Sequence, residues 1–318
     1  LNCHPATDVN MRILTLERAR DLEKKRSITP GTVRKAAMEI AGADSADLLP
    51  ECAAGRPFRV FSHFYQQMLL RPEAGIELPA TFLYAVDAPT PVVLHFDHSG
   101  RNRLLESHGL LADAVNFIDP VHKGFAVLSV DLRGWGDSRP AMYPYEIARW
   151  GGPDRFLAYV SAALGDPLMS MRIRDALSSL AYLRSRPEID PEMIIVTGCG
   201  LGGVVALHAA MIDGRVGGMV IWDSLLSFKA LLEEDDYAWP ADAFIPNALL
   251  HYDLPEMAAG LACPVHIMNS LDGTGQPLAP ITMEMLNVSA NRGIYEVAQD
   301  STAISSRIQS VLKSGRYG

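Results

Sequence analysis

Residues 193–203 read MIIVTGCGLGG: an apolar run, a glycine-rich turn, then an apolar helix. A strand that turns sharply into a helix at G-x-S-x-G presents a serine oxygen for attack on an acyl carbon. Here the flanking glycines are Gly198 and Gly202, and the residue between them, in the serine's place, is Gly200. Such an apex holds a strained backbone at a cost of about 1–3 kcal/mol. Glycine reaches those angles with little penalty. The turn therefore keeps its shape and loses its nucleophile. A strand, glycine turn and helix can also cradle phosphate, but no Walker lysine follows, and the surrounding sequence favours the first reading.

Other residues that could do chemistry gather in three places. Leu94–Arg101 reads LHFDHSGR, with His95, Asp97 and His98 at the end of an apolar run. These could supply a base or two metal ligands, and loop-ordering hydrogen bonds are the favoured reading; no metal or cofactor is expected, since no third ligand stands out. Cys199 lies in the turn, one position from the apex. As the apex it would place Thr197 and Leu201 where small residues are needed, so it reads as a buried packing residue. Asp223 follows Trp222 at a strand end, as an alternative acid or a helix cap. Asp272 stands in MNSLDG, the other acid candidate, though Asp-Gly is also ordinary turn chemistry. His208 and His266 read as satisfied core histidines.

The elements that must position these groups are legible as alternating strands and helices. Strands are predicted over Thr81–Val86, Pro91–Phe96, Phe125–Asp131, Met193–Thr197, Gly218–Trp222, Pro264–Asn269 and Ile294–Ala298. Helices are predicted over Met171–Arg186, Leu201–Ile212 and Thr302–Lys313. The alternation implies an α/β fold with a doubly wound, mostly parallel sheet. Residues 1–75 read as a helical extension or linker, with helices at Met11–Lys25 and from Thr29 to Ile40, and residues 76–318 as the main domain. Residues 140–167 read as a lid insertion, bearing Tyr143, Tyr145 and Trp150.

With 318 residues, 48% hydrophobic and 20% charged, the chain can bury a large core. A net charge of −9 without a basic stripe argues against nucleic acid as partner. No apolar run reaches the roughly 18–20 residues of a membrane span. The four cysteines show no metal or disulfide pattern. The chain begins at Leu1, which reads as a processed form or a piece of something longer.

With the turn placed, Val127–Pro140, VLSVDLRGWGDSRP, resembles the D-x-R-G-x-G-x-S segment of α/β-hydrolases. Asp131, Arg133 and Asp137 then take structural roles. The chain from about residue 75 is similar to the acetyl xylan esterase group of bacterial carbohydrate esterases. That resemblance implies an oxyanion pocket from the backbone of Leu201 and the Asp97–Gly100 loop, an acid at Asp272, and a histidine after the last strand. No histidine follows His266. Two of three triad roles lack an occupant, so the resemblance implies a degenerate member that contacts saccharide or supports an active esterase domain in the same chain or assembly. The lid aromatics could stack on sugar rings or pack the lid. Acetylated polysaccharide and an extracellular or periplasmic location are implied by resemblance alone. The alternatives are an active esterase using His98 or Cys199, and an inactivated variant of an active enzyme.

Overall fold

The computed structural model describes residues 11–43, 49–60, 63–84, 89–104, 125–140, 145–149, 151–278, 293–296 and 302–315. Among the described residues ten strands form one sheet: β1 Glu51–Ala54, β2 Phe58–Val60, β3 His63–Arg71, β4 Leu78–Tyr84, β5 Thr90–Asp97, β6 Ala126–Val130, β7 Ile189–Cys199, β8 Gly218–Trp222, β9 Val265–Met268 and β10 Gly293–Glu296. Their order is β1-β3-β4-β6-β5-β7-β8-β9-β10, with β2 also on β3. Pairs from β6 through β10 are parallel, and those involving β1 to β4 are antiparallel. The strand order reverses at β5, with β6 on one side and β7 on the other, and this puts the ends of β5 and β7 side by side, where open α/β sheets bind ligands.

The helices cover both faces. Pro30–Ala41, Leu168–Arg184 and Leu201–Asp213 pack together on one face. Thr302–Gly315 covers the other, where Ile308 and Val311 join Val93, Val127 and Trp222. Leu201–Ile212 is buried at every residue, as its nearly all-apolar sequence requires. Pro30–Ala41 starts with a Thr29/Thr32 capping box and a proline in its first turn, and it ends at Gly42 in the left-handed region. The described residues of 140–167 include the helices Tyr145–Arg149 and Pro153–Ala163.

The main difference from the sequence reading lies before residue 75. The described residues between 51 and 71 are not helical but form β1, β2 and β3, and the boundary expected at 75 falls in the turn between β3 and β4. The two N-terminal helices do form, at Met11–Lys25 and Pro30–Ala41. The strand β3 was hard to see because Gln66 sits on its inward face between Phe64 and Met68. That glutamine is buried and donates to the Gly55 carbonyl at 2.8 Å, so a polar residue interrupts the period-two apolar pattern. β7 is also longer than expected, because Asp190, Pro191 and Glu192 hide its first turn of register.

Candidate active site

Gly200 has φ 57° and ψ −127°, the strained apex of a strand-to-helix turn. Its amide donates to the Trp222 carbonyl at 3.2 Å, and its carbonyl accepts from the Gly203 amide and the Ser224 hydroxyl at 3.1 and 2.9 Å. The flanking glycines are needed for close approach. A Cβ at Gly198 would strike the Gly202 backbone, and one at Gly202 would strike the Phe96 backbone. The turn is therefore built as tightly as a nucleophile-bearing turn must be.

The place of the missing side chain is not open. A Cβ built at Gly200 collides with Nδ1 and Cε1 of the His98 imidazole. His98 follows β5, and parallel pairing of Asp97 with Cys199 brings it over the apex. Its Nδ1 lies 3.8 Å from Asp97 Oδ1, and its side chain is 45% exposed. Asp97 is buried, and its Oδ1 accepts from the Ser99 amide at 2.7 Å while its carbonyl accepts from Gly100 at 2.9 Å. Those bonds order the loop, and they also occupy two of the amides expected to face an oxyanion. On the other side, the Leu201 amide opens a helix and has no intrahelical acceptor.

His95 is separated from His98 by the strand. It is buried, stacks on Trp222 with ring centroids 5.3 Å apart, and meets Thr197 Oγ1 at 3.0 Å. Burial pushes its pKa down to about 4, against the opposing pull of Asp97. It is a neutral platform residue. His208 is likewise buried and pushed down to about 4. Its Nδ1–H donates to the Val204 carbonyl at 2.7 Å, so Nε2 accepts from the Tyr252 hydroxyl at 3.0 Å. Cys199 is buried in the apolar cluster beside Trp222. Among the described residues, no three His, Cys, Asp or Glu side chains are grouped to hold a metal ion.

The two acid candidates sit differently. Asp272 turns its Oδ1 into its own loop, where it accepts from the Thr274 amide, the Thr274 hydroxyl and the Gln276 amide at 2.8, 2.8 and 2.9 Å. Burial works to raise its pKa, but these hydrogen bonds outweigh it and hold the carboxyl below the usual range. Asp223 follows β8, one step beyond the carbonyl that holds the Gly200 amide. Its carboxylate accepts from the Asn269 side-chain amide. Both residues have positive φ, 48° and 50°, at the ends of adjacent strands. Asn269 and Ser224 were not singled out in the sequence; an asparagine directly after a strand, with its tolerance of left-handed angles, was the available signal. Tyr145 is exposed on the insertion, and Tyr143 and Trp150 lie outside the described residues. So does 297–301, most of the segment after β10 where the sequence offers no histidine.

The loop after β6 has the opposite character. Asp131 accepts from the Arg101 guanidinium, from the Arg101 amide at 2.5 Å and from the Asp137 amide at 2.9 Å. Arg101 also reaches Asp137 at 2.8 Å. Arg133 binds Asp175 through two nitrogens, at 2.8 and 2.5 Å, and Glu73 at 2.7 Å. Arg172, fully buried, stacks over Trp135 at 4.4 Å and pairs with Asp242.

No family model matches the chain. A protein of Bacillus subtilis (strain 168) named "Putative hydrolase YtaP" is 25% identical over 244 residues, covering 72% of this chain and 77% of that protein. A crystal structure of a "putative acetyl xylan esterase" of Bacteroides fragilis NCTC 9343 superposes with a TM-score of 0.68 at 14% identity, over 94% of this chain and 80% of that one. Acetyl xylan esterase 1 of Thermoanaerobacterium sp. JW/SL YS485 gives 0.63 at 15% identity, over 96% and 99%. The sheet order, the elbow-like turn and these likenesses agree on one fold.

Proposed function

We propose, from the premise that this chain is an esterase-like α/β-hydrolase by fold, that it does not carry out serine-type acyl transfer. It acts instead as a structural or saccharide-contacting partner of an active carbohydrate esterase domain in the same polypeptide or assembly. The observation that carries this reading is the apex: Gly200 offers no oxygen, and the His98 ring stands where a serine side chain would begin. Acyl transfer of this type needs a nucleophile, a base within reach and an acid that holds the base's tautomer. The chain's last histidine is His266, so the usual base is also missing.

The Leu201 amide, at the first position of its helix, remains to polarise a bound acyl carbonyl. Such a pocket and binding alone give about 10³–10⁴-fold over water, well short of an ordinary hydrolase. The exposed aromatics of the insertion, Tyr145 and Tyr159, support contact with saccharide or with a partner domain.

The purified chain, offered p-nitrophenyl acetate and acetylated xylan, is expected to turn over neither at ordinary enzyme rates. One observation favours a second reading. His98 presents Nδ1 toward Asp97 and is half exposed, as a base oriented by a carboxylate would be. Turnover at ordinary rates that disappears in His98→Ala establishes that reading and sinks the first. Turnover lost in Cys199→Ala assigns the role to the thiol.

A further inference from the structure

The N-terminal helix Met11–Lys25 is pinned to the segment after β8 at both of its ends. Arg12 donates to the carbonyls of Leu232 and Glu233 at 3.0 and 3.1 Å and pairs with Asp235 at 2.6 Å. Arg26, just past the helix, donates to the Leu249 carbonyl at 2.9 Å and pairs with Glu256 at 2.6 Å. Lys229 adds a contact to Glu23 at 2.8 Å. Between the clamps the two walls do not close. They leave a cavity of about 390 Å³, within the roughly 300–1,000 Å³ usual for small-molecule sites.

The chemistry of that cavity is one-sided. Its walls include Ala19, Leu22, Phe228, Leu232, Ile245 and Leu249. Among the described residues one charged side chain lines it, Arg18, on the exposed face of the helix. The cations that build the clamp are each neutralised, by Asp235, Glu256 and Glu23. Arg18 has no hydrogen-bond or ion-pair partner among the described residues. An apolar chamber with a single unneutralised guanidinium at its side fits a ligand with an apolar body and an anionic end. The planar fork of arginine matches a carboxylate bidentately.

We propose that this cavity binds a medium-chain alkyl carboxylate, with its chain along Leu22, Phe228 and Ile245 and its head group on Arg18. The site shares no residue with the Gly200 turn and does not depend on how that turn is read. Because the walls are held by ion pairs at each end, the cavity is formed before the ligand arrives, which lowers the cost of binding.

Calorimetric titration of the full chain with decanoate, and with decan-1-ol as the uncharged control, tests this. Decanoate is expected to bind saturably, one per chain, at least about tenfold more tightly than decan-1-ol, the factor expected of one charge-assisted contact. Arg18→Gln, a surface change, is expected to remove that difference while leaving the alcohol unaffected. Leu22→Trp, which fills the chamber, is expected to abolish both. Absence of decanoate binding overturns the proposal, as does equal affinity for acid and alcohol, or binding untouched by Arg18→Gln. Circular dichroism melting confirms that each variant is folded; should Leu22→Trp fail to fold, the Arg18→Gln result decides alone.

Discussion

Two loops leave the same edge of the sheet, and they have been treated differently by the sequence. Around the loop after β6, Asp131 pairs with Arg101 and Asp175 with Arg133, and both carboxylates are fully buried. After β7, the turn holds only Gly200 at its apex, with a histidine ring resting over it. The first loop keeps every charge that holds the platform in shape. The second has the tight strand-to-helix geometry of a nucleophile-bearing turn and a glycine at its apex. On the proposed reading, shape and chemistry are separable at this edge of the sheet, because different residues carry them.

The largest effect should come from breaking the intact loop. Asp131→Ala leaves Arg101 buried without its main partner and strands two backbone donors. Removing one member of a buried pair costs about 3–5 kcal/mol. Urea denaturation should show a loss of that size, and Asp175→Ala, which leaves half-buried Arg133 with Glu73 as its partner, should show a smaller one. A loss below about 1 kcal/mol would mean that this loop is no more constrained than the turn beside it.

Acid comes next. His95 and His208 are buried and neutral, with pKa values about 4 in the folded chain against about 6.5 when unfolded. Below 6.5 the unfolded chain takes up protons that the folded chain refuses. The stability these rings contribute is therefore complete above pH 6.5 and is lost as pH falls toward 4. The loss is on the order of 3 kcal/mol per ring. In His208→Gln the slope of stability against pH across that window should be visibly shallower. An unchanged slope would show that the ring is hydrated and outside the platform.

At the turn itself the expected changes are smaller and of a different kind. Gly200→Ser imposes a side chain at φ 57° and drives it into His98. The cost should be about 1–3 kcal/mol. Adding His98→Ala should return the part due to the collision and leave the part due to the backbone. Neither variant should hydrolyse esters at ordinary rates, because no histidine follows β10. Esterase activity in Gly200→Ser alone would defeat the proposed function and make this chain an inactivated variant of an enzyme.

The contrast between the loops also explains what was legible beforehand. The parallel strands β5 to β9 and the Leu201–Asp213 helix carry long apolar runs bounded by turn residues, so their existence followed from pattern. β3 did not, because Gln66 faces inward and is satisfied by the Gly55 carbonyl, a contact no local pattern contains. The vacancy at Gly200 could be read from spacing alone. That His98 fills it could not, since the two residues are 102 positions apart and meet only through the register of β5 on β7. The pairing of Asp223 with Asn269 was hidden for the same reason: it joins the ends of two strands.

The smallest expected effect separates the two acids. Asp272 is occupied by its own turn, so Asp272→Ala should cost only about 1 kcal/mol, the net worth of a few partly solvated hydrogen bonds. Since its folded pKa is lowered, that contribution is present at neutral pH and disappears as the solution is acidified through the carboxylate range. Asp272→Asn keeps an acceptor oxygen and should recover most of it. Whatever slow ester hydrolysis the chain shows should be indifferent to both changes, because the sequence offers no histidine after β10 for the carboxylate to hold. Asp223→Asn instead leaves Asn269 facing an amide of its own kind at two strained strand ends, and should lower stability more than Asp272→Asn does. If the slow rate falls in Asp272→Asn while stability holds, the carboxylate serves a base after all, and the platform and the chemistry are not separate at this edge of the sheet.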